Sequence, residues 1–284
     1  MSAHATLAEL LRNIRTLTTF PPVLVRLNLA LNANSSVAAI AEIIGSDTDL
    51  TARTLRDANS SFYGVSGEVD SVTEAVEMIG VQNVRNLALA TNAMTLFPGI
   101  SGELINVEAF WRHSIACAVS ARLIARQLGL EDLQGFFLTG LLHDVGRLAI
   151  YLYQPDDGKR ILEEAHKSER YQFEVEREIL SYDHGMVGAA LLEEWQLPAS
   201  IIYSVRYHHE PAKAPPGAGE VNILHLANLI AHEMQLGHSG VAFRPNLSDA
   251  DWSSAGLSGE NAEEIFERVD ADYQSGTALF NGLF

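Results

Sequence analysis

The stretch LTGLLHDVGRL, residues 138–148, places His143 beside Asp144 in an otherwise apolar segment. We expect this segment to be a deeply packed helix, in which an imidazole and a carboxylate are each costly to bury without partners. Neutral imidazole and carboxylate oxygen are suitable ligands for iron, manganese, zinc or nickel. The pair therefore predicts a divalent metal site. One alternative is an internal polar network that includes Arg147 and His113.

Nine of the ten histidines lie beyond residue 110, and several fall at helix positions where their side chains could converge. Beside His143 and Asp144, the candidate metal ligands are His113, His184, His208 and His209. A single buried histidine is readily satisfied by a backbone carbonyl, so the prediction depends on the whole set. His225 and His232 lie seven residues apart on one helix face and could be spare ligands, but packing is the favoured role.

Along the chain, apolar residues recur mostly at intervals of three and four, and β-branched runs bounded by turns are nearly absent. This pattern predicts an all-α protein. Ser36, Asp47 and Ser71 precede helical segments and are expected to be N-caps. In the histidine-rich part, one continuous helix is expected from residue 132 to residue 153.

The segment PGISG, residues 98–102, is the clearest break in composition, and we expect it to separate two helical lobes that pack together. The predicted units are an N-terminal helical bundle over residues 1–104, a histidine-rich helical lobe over residues 105–245 and an acidic C-terminal helical tail over residues 246–284. The tail holds eight acidic residues and one basic residue, Arg268, and is expected to present a solvated face.

The chain has 284 residues and a formal net charge of −17, from 19 Lys and Arg against 36 Asp and Glu. This sign opposes binding to nucleic-acid phosphates and to anionic membranes, so we expect neither as a partner. The single cysteine, Cys117, excludes an internal disulfide and is typical of a reducing compartment. No apolar run approaches the ~20 residues of a membrane helix, and residues 1–11 do not resemble a signal peptide. We therefore expect a cytoplasmic protein.

The order of these histidines resembles the HD superfamily of metal-dependent phosphohydrolases, whose signature is a histidine, a His-Asp pair and later histidine and aspartate ligands. Further segments are similar to the HDOD domain, the HD-related output domain of bacterial signalling proteins. Those segments are PPV (21–23), DLTAR (49–53), ANSSFYG (58–64), SVTEA (71–75), FWRHS (110–114), HGMVG (184–188), WQLP (195–198) and YHHEP (207–211). The resemblance implies an HD-like fold for the histidine-rich lobe.

Two departures from the catalytic families bear on function. Catalytic HD proteins have an aspartate as the last metal ligand, and the comparable position here holds Asn228, whose neutral amide is a poorer ligand. In the related HD-GYP phosphodiesterases of cyclic di-GMP, a Gly-Tyr-Pro loop follows two adjacent histidines and the His-Asp helix carries a lysine. Here the loop is EPAKAPP (210–216), and Arg147 stands at the lysine position. Part of the catalytic equipment is therefore missing.

The HDOD resemblance implies a signalling output module that acts mainly through contacts with other signalling proteins, in a family where hydrolysis is generally not established. About twenty residues precede the region of resemblance, too few for the ~100 residues of a receiver domain. We therefore expect a stand-alone module or a piece of a longer protein, with a histidine pocket that could hold a metal.

Two alternatives stay open. One is a metal-dependent phosphohydrolase acting on a nucleotide or a cyclic dinucleotide, in which Asp144 bridges two metals and Arg147 meets the substrate phosphate. In that case the first metal would be held by His113, His143, Asp144 and His184, and the second with help from His208 and His209. The other alternative is a helical scaffold whose histidines only satisfy one another.

Overall fold

A computed structural model of the protein describes residues 6–17, 22–60, 63, 68–240, 243 and 246–280. Every regular element in these ranges is helical, which confirms the all-α prediction. Within the same ranges, no helix is both long enough and apolar enough to cross a lipid bilayer.

Six helices form the described part of the chain before residue 100, and three of them start at the predicted caps. They are α1 (Leu7–Leu17), α2 (Pro22–Asn32), α3 (Val37–Gly45), α4 (Thr48–Ala58), α5 (Val72–Ile79) and α6 (Val81–Thr95). The side chains of Ser36, Asp47 and Ser71 accept hydrogen bonds from backbone amides three residues onward. Each bond satisfies an amide that the first helical turn leaves without an intrahelical partner. Pro21 and residues 61, 62 and 64, which belong to the segments quoted above, lie outside the described residues.

Eight helices build the histidine-rich part of the molecule. They are α7 (Val107–Gln127), α8 (Leu133–Leu142), α9 (Val145–Tyr153), α10 (Pro155–Ser168), α11 (Gln172–Leu180), α12 (His184–Glu194), α13 (Ala199–Tyr207) and α14 (Glu220–Glu233). The central element is α7, which is buried along most of its length and packs against α8 and α14. Cys117 lies on its buried face as a small apolar side chain, as its apolar neighbours in the sequence indicate.

The prediction of one continuous helix over residues 132–153 is wrong, because the helix is interrupted near its centre. The first half ends at Leu142 and the second begins at Val145, so the turn between α8 and α9 holds His143 and Asp144. The apolar periodicity continues through the turn, which is why the sequence pattern did not reveal the break.

Two glycines allow neighbouring backbones to approach this turn closely. A Cβ at Gly140 would lie 2.5 Å from the Cα of Ala118 on α7. A Cβ at Gly146 would collide with the backbone carbonyl of His184 at the start of α12. The turn is thus held between α7 and α12 at distances that a larger residue would prevent.

The acidic C-terminal segment packs against the histidine-rich helices. Its helices are α15 (Asp249–Ser254) and α16 (Ala262–Ala278), and α16 lies along α7. Buried side chains of the segment include Trp252, Val269 and Phe280, and they belong to the same apolar cluster as Leu10 on α1. Most of its acidic side chains are exposed, so one side of the segment is solvated, as predicted, and the other side is packed against the core. The division into units at residues 104 and 245 remains a prediction.

Candidate metal centre

The predicted ligands come from four separate elements and meet in the interior. His143 and Asp144 occupy the turn between α8 and α9, and His184 is the first residue of α12. His113 lies on α7, and His208 and His209 directly follow α13. We call these six residues the His–Asp cluster. The side chains of His113, His143, His184 and His208 have no exposed surface, and Asp144 is 1% exposed.

The carboxylate of Asp144 is the centre of the cluster. Its Oδ1 lies 3.2 Å from His184 Nε2 and 3.6 Å from His208 Nε2, and its Oδ2 lies 3.4 Å from His143 Nε2. Among the described residues, two groups could each hold a metal ion, one of Asp144, His184, His208 and His209, the other of His113, His143 and Asp144. Asp144 is the member common to both groups, as a bridging carboxylate must be.

Two of the imidazoles present bare lone pairs to this centre. His143 donates its Nδ1 hydrogen to the carbonyl oxygen of Gly140 at 2.7 Å, and His208 donates its Nδ1 hydrogen to Val205 at the same distance. In the neutral form of each ring the Nε2 atom is therefore an acceptor, and neither Nε2 has a hydrogen-bond partner in the described part of the chain. A buried acceptor that faces a carboxylate needs a donor or a cation between the two. A bound cation would satisfy both, so the residues present fit a divalent metal.

Burial lowers the pKa of His113, His208 and His209 and keeps these three imidazoles neutral. For His143 and His184, burial also acts to lower the pKa, but the charge of Asp144 on the first and of Glu176 on the second outweighs it and raises the pKa. Burial lowers the pKa of His208 to about 4, and burial together with His208 and His184 holds the pKa of His209 well below its ordinary value. For Asp144, burial acts to raise the pKa, but the charges of Arg147 and His143 outweigh it and hold that pKa well below the usual range. Neutral imidazoles and an ionised carboxylate are the forms that bind metal.

Glu176 is a buried acidic residue at this site that sequence reasoning missed. This α11 carboxylate is 1% exposed, and its Oε2 accepts hydrogen bonds from the backbone amide of His184 at 2.8 Å and from His184 Nδ1 at 2.6 Å. The contact fixes the tautomer in which His184 Nε2 faces Asp144. The spacing of four places Gln172, Glu176 and Leu180 on one helix face, but only the packing of that face shows that all three are buried.

Arg147 lies inside the cluster rather than at its edge. Its Nε is 3.2 Å from Asp144 Oδ1, and its Nη2 is 3.4 Å from His184 Nε2. Its Nη1 donates to Gln172 Oε1 at 3.3 Å and to the carbonyl oxygen of Ser239 at 3.2 Å. The guanidinium, like Asp144, is only 1% exposed.

Asn228 on α14 also reaches the cluster, at its His113 end. The amide Oδ1 lies 3.1 Å from His113 Nε2, and the ring of His232 packs 4.5 Å from the ring of His113. His225 donates its Nδ1 hydrogen to the carbonyl oxygen of His208 at 2.6 Å. The structure thus gives His225 and His232 supporting contacts, in line with the favoured packing role, and places Asn228 beside the first histidine.

A cavity of about 320 Å³ adjoins the cluster. Its polar lining includes Arg147, His209, Asn228 and Asp251. Its aromatic lining consists of Tyr171, Phe173 and Phe243. The ring of Phe173 stacks on that of His209, with 4.7 Å between centroids and 11° between planes. The cavity gives a small molecule a path to one side of the cluster.

Comparisons with known proteins agree with this architecture. The family model of the HDOD domain matches residues 17–211. An HDOD domain protein of Geobacter sulfurreducens is 24% identical, with 98% of each chain covered and a TM-score of 0.76. A protein of Shewanella amazonensis SB2B, provisionally described as a phosphohydrolase, is 24% identical over 97% of this chain and 98% of its own, with a TM-score of 0.75. At these identities the likeness to both structures concerns the fold.

A protein of Treponema pallidum (strain Nichols) is 23% identical over 185 residues, which is 65% of this chain. The match takes in 36% of that protein, so this chain spans about a third of the length of its relative.

Proposed function

Because the chain belongs to the HDOD family, we propose that it is a regulatory output module of signal transduction, acting through contacts with other signalling proteins. In this proposal the His–Asp cluster holds a divalent metal without turning over a phosphoester. A bound metal of this kind supplies Lewis-acid polarisation and an acidified water. The protein supplies the imidazole and carboxylate donors around Asp144.

The observation that carries the proposal is the pairing of Asn228 with His113. An amide oxygen bears no charge, so it compensates a metal less well than the aspartate that catalytic HD proteins have at this position. With its Oδ1 3.1 Å from His113 Nε2, Asn228 engages that nitrogen and leaves Nδ1 as the ring nitrogen of His113 without a hydrogen-bond partner in the described part of the chain. Asp144 is thus the one carboxylate among the described residues that both candidate metal groups contain.

The experiment is metal analysis combined with an assay of turnover. Wild-type protein and His143→Ala are purified without oxygen, analysed for metal atoms per chain, and assayed on phosphate monoesters and diesters with Fe²⁺ or Mn²⁺. We expect metal in the wild type, its loss in His143→Ala, and no turnover by either protein. His166→Ala is the matched control, because His166 is exposed on α10. Turnover that disappears in His143→Ala but persists in the control would overturn the proposal.

A second candidate function is a metal-dependent phosphohydrolase acting on a nucleotide or a cyclic dinucleotide. It is favoured by the cavity, which combines an aromatic wall with Arg147 and His209 in a volume of about 320 Å³. In this role the aromatic rings would contact a base and Arg147 would contact a phosphate. The same assay decides between the two functions, since the second requires turnover that depends on His143.

A further inference from the structure

The guanidinium of Arg147 occupies one of the two candidate metal groups. Its Nε and Nη2 contact Asp144 Oδ1 and His184 Nε2, at 3.2 and 3.4 Å. Because Glu176 binds the Nδ1 of His184, Nε2 is the nitrogen that this histidine can offer to a metal. A cationic side chain therefore already contacts donor atoms of the group formed by Asp144, His184, His208 and His209.

This cation is fixed in place by buried partners on its far side. Nη1 donates to Gln172 and to the Ser239 carbonyl, and the Gln172 amide nitrogen donates to Tyr151 at 2.7 Å and to Glu176 at 3.1 Å. All four partner residues are less than 4% exposed. Since these partners are held by one another inside the protein, the guanidinium cannot turn into solvent without breaking buried hydrogen bonds.

The other candidate group has no such occupant. In the described residues, no hydrogen bond or ion pair joins Arg147 to His113 or His143. The Nε2 atom of His143 and the Nδ1 atom of His113 both remain without a hydrogen-bond partner there, and in the first group the Nε2 atom of His208 does too. The two groups thus differ, since the guanidinium contacts a histidine of the first group and neither histidine of the second.

The fixed charges of the cluster also favour one divalent metal rather than two. Metal binding requires neutral imidazoles, and in that form the carboxylates of Asp144 and Glu176 and the guanidinium of Arg147 leave one uncompensated negative charge. One divalent metal is attracted to that charge, whereas a second would lie against the guanidinium, in an interior where like charges are weakly screened.

We propose that Arg147 is a built-in cation that takes the place of a second metal ion, so that the His–Asp cluster holds a single divalent metal on the side of His113 and His143. The inference rests on the metal binding in the proposed function. It gives a reason for the expected lack of turnover, since a single ion lacks the clamp that two metals provide for phosphoester hydrolysis.

The test is the number of Mn²⁺ ions bound per chain after loading and removal of free metal. We expect one ion in the wild type and in Arg147→Lys, which keeps the positive charge. We expect a doubling to two ions in Arg147→Gln, because that change removes the charge and frees Asp144. Arg112→Gln is the matched control, since it removes a partly exposed arginine from α7 and should still bind one ion. Electron paramagnetic resonance gives a second readout, because two neighbouring Mn²⁺ ions couple and an isolated ion does not.

Each outcome bears on the inference. Two ions in the wild type overturn it without any variant, and leave the metal site of the proposed function intact. One ion in a folded Arg147→Gln protein also overturns it. Absence of metal from every protein overturns both the metal site and this inference. If Arg147→Gln does not fold, the wild-type count and its resonance spectrum still decide between one ion and two.

Discussion

Replacing Gly140 by alanine tests whether the approach of α8 to α7 positions the cluster. The new Cβ would lie 2.5 Å from the Cα of Ala118 and 2.6 Å from its backbone nitrogen. Ordinary contacts of a Cβ begin near 3.4 Å, so the two helices must separate by about 1 Å. The atoms in the way belong to backbone, and no flexible side chain can move aside.

The expected cost follows from two opposing effects. Alanine in a helix interior is favoured over glycine by about 1 kcal/mol, whereas overpacking a tight contact costs roughly 1–3 kcal/mol or more. Because the clash is with backbone, we take the upper end of the overpacking cost, and we expect a net loss of about 2 kcal/mol in the free energy of unfolding. For a chain of 284 residues that corresponds to a fall in Tm of about 3 °C. The Gly140 carbonyl also orients His143, so metal binding should weaken.

Calorimetry and metal analysis of Gly140→Ala and Gly45→Ala form the assay. Gly45 ends α3, and a Cβ there would meet no atom within 4 Å of it among the described residues. This control should keep or slightly raise its Tm and should not change metal content. A Gly140→Ala protein with the Tm and metal content of the wild type would refute the close approach and its role at the site.

Three further predictions concern other parts of the molecule. Glu176→Gln should weaken metal binding roughly 10–100-fold in a chelator competition, whereas Glu174→Gln should not. Equal metal affinities of the two variants would show that the buried carboxylate does not orient the imidazole of His184. Burial raises the pKa of Asp57 from 3.8 to about 7. The contribution of this group to folding stability should therefore be greatest below pH 4, and the free energy of unfolding should fall by up to about 4 kcal/mol as the pH rises to about 7. Urea unfolding of Asp57→Asn should lack that part of the fall, and an unchanged pH profile would contradict it. Trp252→Ala should lower the free energy of unfolding by about 3–5 kcal/mol, because Trp252 is 3% exposed. Phe243→Ala should lower it far less, because Phe243 is 38% exposed. A small loss of stability in Trp252→Ala would mean that the C-terminal segment does not share the core.

Much of the site could be predicted because its members carry local signals. His143 and Asp144 are polar residues in an apolar run, and His113 and His184 lie in helical segments rich in apolar residues. Burial of such side chains requires compensation, and the resemblance to the HD superfamily indicated which histidines supply it. The contribution of Glu176 could not be predicted in the same way, because its segment is charged on most of its surface and only packing against α12 shows which carboxylate is inside.

The sequence by itself determined the helical class and the caps at Ser36, Asp47 and Ser71, since these depend on periodicity and on local hydrogen bonding. Its resemblance to the HD superfamily also indicated which histidines and which aspartate meet. Only the tertiary structure decided where the helix breaks at His143, which carboxylate holds His184, and that Arg147 points into the cluster. Those features depend on contacts between helices far apart in the chain, and a side chain's charge has its effect only where packing has excluded water.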